Sequence, residues 1–386
     1  MPYEQVTRPV PAPEAFRQTG SEAVQSQAAL LLLLGRQLRG DDQALRASAT
    51  AVGREAQVEV IPTEDEAEFP VPRLRVTGER VGAADVQRGL AQRYGRLMKR
   101  QCPVEPGTPE LPEALGEAAE RLYANPEPAN AAELMEGCLR HPDELTRVAA
   151  AASYFALSTR PQRLLRILVR GTRSSEPLVR DVAATALARV APEHARLRQM
   201  MKRGPSRSGG EPSHTALFVH GTLARNHEWW QPGGSFHAYM KDTIRPDVYS
   251  ADDRFEWSGG YSDAARDIGA DELRVWINQH NLAGLDLFGH SHGANVTMQA
   301  TKFGLQAGKL VLLSCPVHVH KYLPDFAQVL SVVSIRVHLD LVILADRGGQ
   351  RFHHPQIQEN VLSIWFDHGA SHKPQVWQQH NVPALL

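Results

Sequence analysis

The segment Gly289-His290-Ser291-His292-Gly293 places a serine between two glycines, each one residue removed. It ends an apolar run, Gly284-Leu-Asp-Leu-Phe, and opens a stretch of small residues from Ala294 to Phe303. In a buried strand turning sharply into a helix, this spacing holds the Ser291 hydroxyl at the helix N-terminus, and the glycines let strand and helix approach closely. A hydroxyl held there can add to an acyl carbonyl if a base takes its proton and N–H donors meet the developing oxyanion. Cys315 ends another apolar run and reads as a small buried residue rather than a competing thiol nucleophile.

The elements that must carry this serine alternate in kind. Thr215-Ala-Leu-Phe-Val is a short apolar strand followed by His220-Gly221-Thr222, and Asp263 to His280 has the pattern of a helix. Further strands are expected in Lys309-Leu-Val-Leu-Leu-Ser, Ser331-Val-Val-Ser-Ile-Arg-Val and Val361-Leu-Ser-Ile-Trp-Phe. Strands and helices in turn argue for a parallel sheet covered by helices.

With these motifs in this order, residues 215–386 resemble the α/β-hydrolase superfamily, in particular its bacterial serine hydrolases with a GHSHG turn. Phe255-Glu-Trp257-Ser-Gly259 followed by Ala264-Ala-Arg266 resembles a segment preceding the nucleophile in some of these proteins. The resemblance implies a mostly parallel α/β sheet flanked by helices, and a nucleophile, acid and base arriving in the order Ser, Asp, His. It makes His220-Gly221 the oxyanion loop, with the N–H of Thr222 or Leu223 joining that of His292. Asp340, in His-Leu-Asp-Leu-Val, matches the family's acid after its penultimate strand. Asp346 is the alternative if that strand runs on through Leu341-Val-Ile-Leu-Ala. The base is His368, whose offset to Pro374-Gln-Val-Trp377 resembles the family's pattern, although Gly369 replaces a serine; His372 is the alternative. The implied reaction is cleavage of a carboxylic ester or thioester through an acyl-enzyme. Trp229 and Trp230, in the insertion Asn226 to Met240, either bind substrate by lining an acyl pocket or dock the N-terminal helices.

The rest of the chain is of another kind. Fifteen of 17 histidines and all six tryptophans follow residue 211, so chemistry belongs to the second part. Residues 1–125 form a mixed region, with a helix expected near 21–48 and extended pieces near 56–61 and 72–77. Over 126–201, Glu144-Leu-Thr-Arg147 aligns with Pro177-Leu-Val-Arg180 at a 33-residue offset, each opening an Ala-rich helix after a turn. This resembles HEAT-type repeats, a helical solenoid that offers a protein partner a surface. Residues 202–213 (KRGPSRSGGEPS) read as a linker, leaving 214–386 as the hydrolase-like domain. That domain lacks leading strands, so either its sheet is short or the pieces near 57–61 and 73–77 join it.

Net charge −1, from 42 basic and 43 acidic residues, gives no field that would draw nucleic acid or an anionic membrane. The run Ala28 to Leu34 falls short of the roughly 20 residues a bilayer-spanning helix needs. The three cysteines and the absence of a cationic, then apolar N-terminus suit a cytoplasmic protein. His318-Val-His320 and His353-His354 lack metal-ligand spacing, so no metal or cofactor is expected and the partner is a small ester or acyl substrate. The other-class alternative is a non-catalytic scaffold, its repeats binding a protein and its hydrolase module degenerate.

Overall fold

The computed structural model describes residues 3–39, 69, 71–75, 111–202 except 156, 159 and 160, and 216–386 except 283. Apart from Lys202, the expected linker 202–213 lies outside the described residues, as do the piece near 56–61 and positions 40–48.

The first part is helical: α1 (Ala12–Ala15), α2 (Ser21–Arg39), α3 (Leu111–Ala124), α4 (Pro128–Cys138), α5 (Glu144–Tyr154), α6 (Pro161–Gly171), α7 (Pro177–Val190) and α8 (Ala195–Met200). The leucine run makes α2 the central helix, buried along nearly its whole length. Its polar residues are buried with partners: Gln27 donates to the Ala15 carbonyl and accepts from the Thr146 hydroxyl, both at 2.8 Å. No helix among the described residues is long and apolar enough to cross a membrane.

The sequence match between Arg147 and Arg180 has a physical counterpart. Arg147 Nη1 donates to the His141 carbonyl at 2.6 Å, and Arg180 Nη1 to the Ser174 carbonyl at 3.1 Å. Ahead of each helix a side chain two residues back accepts a backbone N–H: His141 Nδ1 from Asp143 at 3.1 Å, Ser174 Oγ from Glu176 at 3.3 Å. The same turn is built twice with different side chains.

The piece expected as a strand at 72–77 is not one over its described part. Leu74 donates its N–H to Gln37 Oε1 at 2.9 Å and Arg75 to the Pro126 carbonyl at 2.8 Å, so the segment runs along the helices instead of joining the sheet.

The second part holds a five-stranded, wholly parallel sheet in the order β1 (Ala216–Val219), β2 (Asp286–His290), β3 (Ala307–Leu313), β4 (Val329–His338), β5 (Gln358–Trp365). Each of the five apolar runs forms its strand. Between and after them come α9 (Ser235–Tyr239), α10 (Asp263–Gln279), α11 (His292–Lys302), α12 (Leu341–Asp346) and α13 (Pro374–Gln379). Parallel pairing puts every C-terminal strand end on one edge: Val219 pairs with Gly289, His290 with Leu313, Leu313 with Ile335, and His338 with Trp365. Loops leaving that edge therefore converge, the usual place for ligands in open α/β sheets.

Two apolar layers cover the sheet, one around Leu287, Leu310 and Val296, the other around Phe218, Phe288 and Trp377. A third core fills the helical region and does not stop at the change of composition. It continues through Leu339, Leu341, Val342, Leu344, Trp365 and Phe366, so α12 packs against α2 and α7. The N-terminal segment also reaches the sheet, where the Val6 carbonyl accepts the Trp365 N–H at 2.7 Å.

Candidate active site

Ser291 stands between β2 and α11 with φ 52° and ψ −131°. A non-glycine residue holds such a conformation only at a cost of about 1–3 kcal/mol, supplied by its surroundings. Its N–H donates to the Leu313 carbonyl at 2.8 Å, and its carbonyl accepts from Ala294 N–H at 3.0 Å. The flanking glycines are sterically required. A Cβ on Gly289 would lie 2.5 Å from Ala294 Cα, and one on Gly293 only 2.3 Å from the Val219 carbonyl oxygen. His292 is the first helical residue, so its N–H has no acceptor within the helix and carries the partial positive charge of the helix N-terminus.

The loop after β1 rests on the serine: a Cβ on Gly221 would lie 2.9 Å from Ser291 Cβ. Leu223 donates its N–H to the Gly259 carbonyl at 3.0 Å, which leaves Thr222 as the candidate second oxyanion donor. His220 anchors the loop. Its carbonyl accepts the Trp257 indole N–H at 2.7 Å, its Nδ1 faces the Gly221 carbonyl at 2.9 Å, and its ring packs near Trp230 and Trp257. Burial drives the His220 pKa down to about 3, so the ring is neutral and Nδ1 carries the proton donated to Gly221.

Asp340 and His368 meet at the C-terminal ends of β4 and β5, with His368 Nδ1 2.7 Å from Asp340 Oδ2. The other carboxylate oxygen accepts the N–H groups of Val342 and Ile343 at 2.9 and 3.2 Å, so Asp340 is the N-cap of α12 and fixed in orientation. Burial disfavours the His368 cation, but the adjoining Asp340 carboxylate outweighs it and holds the pKa above the ordinary histidine value. With Nδ1 committed to Asp340, Nε2 is the nitrogen free to take a proton.

His372, the alternative base, lies flat on Trp229 with ring centres 4.3 Å apart, and His290 meets it edge-on at 4.6 Å. Burial, followed by the charge at His368, pushes both rings well below the ordinary histidine pKa. Asp346, the alternative acid, is engaged elsewhere. Its carboxylate accepts from Tyr261 Oη at 2.7 Å and faces His318 Nε2 at 2.9 Å and His292 Nε2 at 3.2 Å.

Of the two tryptophans, Trp229 borders the site through its contacts with His290 and His372. Trp230 lies behind it, donating to the Ala224 carbonyl at 3.0 Å beneath the Arg254 guanidinium. Both belong to the apolar core around Phe218. Cys315 is buried at the end of β3, and burial raises its thiol to about 12, too high for a thiolate nucleophile.

Two features escaped the sequence. Asp181 on α7 comes close enough to His227 and His368 to feel their charge, while burial raises its own pKa. The helical region thus contributes to the surroundings of His368. The other is the grouping of His292, His318 and Asp346, which joins the start of α11, the loop after β3 and the end of α12; neither has a local sequence signal.

No family model matches the chain, and no curated protein does. Among solved structures it is similar to lipase B of Aspergillus fumigatus, at 10% identity over 77% of this chain and 83% of that one, with a TM-score of 0.31. It is also similar to an uncharacterized protein from Bacillus cereus, at 13% identity over 73% of this chain and 91% of that one, with a TM-score of 0.24.

Proposed function

We propose that the chain is a serine hydrolase of the α/β-hydrolase kind, cleaving a carboxylic ester or thioester through an acyl-enzyme. The observation that carries this reading is the strained, left-handed Ser291 on the same sheet edge as the hydrogen-bonded Asp340–His368 pair. Ser291 Oγ adds to the acyl carbon as His368 Nε2 takes its proton, and Asp340 stabilises the imidazolium. The N–H groups of His292 and Thr222 receive the oxyanion. Collapse breaks the carbon–oxygen or carbon–sulfur bond, and the leaving group departs with the proton from His368. Water, deprotonated by the same imidazole, then releases the acid. Trp229 walls the acyl side. The helical region, read as HEAT-like, packs on α12, and the unpaired Cys138 and Cys315 suit a reducing, cytoplasmic setting.

Ser291 is only 7% exposed and His368 4%, so the reacting atoms are shielded from bulk water. That favours a small bound ester or thioester over large soluble polymers as substrate. A fluorophosphonate probe tests the assignment. The full chain should label, and Ser291→Ala should lose the label together with about 10⁴- to 10⁶-fold of p-nitrophenyl ester turnover. A folded wild type that takes no label supports the scaffold reading instead.

A further inference from the structure

Beyond the Asp340–His368 pair, one cluster of potential ligand atoms stands out among the described residues. His292 Nε2, His318 Nε2 and the Asp346 carboxylate oxygens lie within 4.8 Å of one another, drawn from the start of α11, the loop after β3 and the end of α12. Zinc bonds of about 2.0–2.1 Å in a tetrahedron put ligand atoms roughly 3.3 Å apart. The His292–Asp346 separation is 3.2 Å and the His318–Asp346 separation 2.9 Å.

Hydrogen bonding at His292 is the second, independent observation. The Thr222 hydroxyl is directed at the Gly260 carbonyl at 3.5 Å and lies 3.0 Å from His292 Nδ1. In the tautomer in which Nδ1–H donates to that hydroxyl, Nε2 keeps its lone pair. That atom is buried and, although 3.2 Å from the Asp346 oxygen, lacks the alignment of a hydrogen bond. A lone pair facing a carboxylate is repulsive, and a cation between them turns repulsion into two bonds.

We propose that His292 Nε2, His318 Nε2 and the Asp346 carboxylate bind one divalent transition-metal ion, zinc foremost. The surroundings fit the donor set. Tyr261 Oη donates to Asp346 at 2.7 Å and the Thr222 hydroxyl lies 3.0 Å from His292 Nδ1, the kind of outer contacts that orient metal ligands. Burial keeps His292 neutral, with its pKa down to about 4, and hence ready as a ligand. The His318 side chain is 26% exposed, giving the ion an entry path and water a fourth position. Arg266 is the competing positive charge nearby, matched by Asp263 at 2.6 Å. The ion would tie the residue after the nucleophile to α12, whose N-cap is Asp340, and so hold both ends of the active site in register.

Metal binding is measured independently of hydrolysis. The full chain is stripped with a chelator, dialysed, and titrated calorimetrically with Zn(II), with zinc content per chain determined by mass spectrometry. One zinc per chain is expected. His318→Gln and Asp346→Asn should each weaken binding more than about tenfold, and His320→Gln, on an exposed neighbour, should not. Co(II) in place of zinc should give the visible absorption of a tetrahedral site in wild type only. Circular dichroism separates a lost site from a lost fold, and His318→Gln, on a half-exposed loop, is the variant expected to fold. Wild type that binds no more zinc than folded His318→Gln overturns the proposal and leaves the His318–Asp346 contact at 2.9 Å as a hydrogen bond alone.

Discussion

The start of α11 is flanked by two histidine–aspartate groupings built from the same side chains and tuned in opposite directions. On one side His368 donates to Asp340 at 2.7 Å and is held above the ordinary histidine pKa. On the other His292 faces Asp346 at 3.2 Å, and burial takes it down to about 4. The carboxylates explain the difference. Asp340 spends one oxygen on two backbone N–H groups and offers the other, well aligned, to a single imidazole. Asp346 divides itself among Tyr261, His318 and His292, so no one ring receives its full charge. A base needs the first arrangement, because it must gain a proton and have the charge matched. A ligand needs the second, because it must not.

The largest effects that would break this contrast lie on the Asp340 side. His368→Ala should lower kcat for a p-nitrophenyl ester by about 10⁴-fold or more, and His372→Ala by about tenfold or less. Equal losses would remove the distinction between the two rings. Asp340→Asn should cost about 10³- to 10⁴-fold, as loss of the orienting acid does elsewhere. The pH profile gives the sign. In the proposed mechanism His368 must be neutral to accept the serine proton, so kcat/KM should fall as pH drops through its raised pKa, above the ordinary histidine value. In Asp340→Asn the attraction that raises the pKa is gone, and the acid limb should move to lower pH. In Asp346→Asn the limb should stay where it is in wild type. A limb that moves with Asp346 would mean that the two groupings titrate together.

A smaller effect tests the turn between them. Gly293→Ala sets a Cβ against the Val219 carbonyl, a backbone atom that cannot swing aside. Thermal or urea unfolding should show a loss of about 3 kcal/mol, and the surviving protein should label poorly with fluorophosphonate because Ser291 is displaced. Unchanged stability would mean that β1 and α11 are not in close contact.

Ser291 was legible because its chemistry and its backbone requirement are written in one local motif: two glycines, an apolar run before and small residues after. The five strands were legible for a similar reason, since a strand buried on both faces is an unbroken apolar run. The proposed acid was less so. Asp340 and Asp346 both follow β4, and periodicity did not reveal that the strand ends at His338 and that Asp340 then caps a new helix. Sequence gave no hint of Asp181, because the composition break near residue 211 separates regions that share one core. The His292–His318–Asp346 grouping was invisible for the same reason. Its members are neighbours only because parallel strands deliver the segments that follow them to one edge, which spacing along the chain does not show.

The smallest expected effect sharpens the comparison most, because it touches one side alone. Tyr261→Phe removes the 2.7 Å hydrogen bond to Asp346 and leaves the ring that packs against His292 and Arg266. A buried carboxylate that loses one charged hydrogen bond should cost about 1.5–3 kcal/mol of stability, measured by urea unfolding in the presence of chelator. Asp346 shares its charge between two imidazoles, so withdrawing the phenol should strengthen its hold on them. His292, whose pKa burial has driven to about 4, should then titrate at higher pH, a change readable from its ring proton resonances by NMR. His368, oriented by a different carboxylate on the far side of Ser291, should keep both its titration and the acid limb of kcat/KM. If Tyr261→Phe moved the His368 resonance instead, the two groupings would form one network through α12, and the division between base and ligand would not hold.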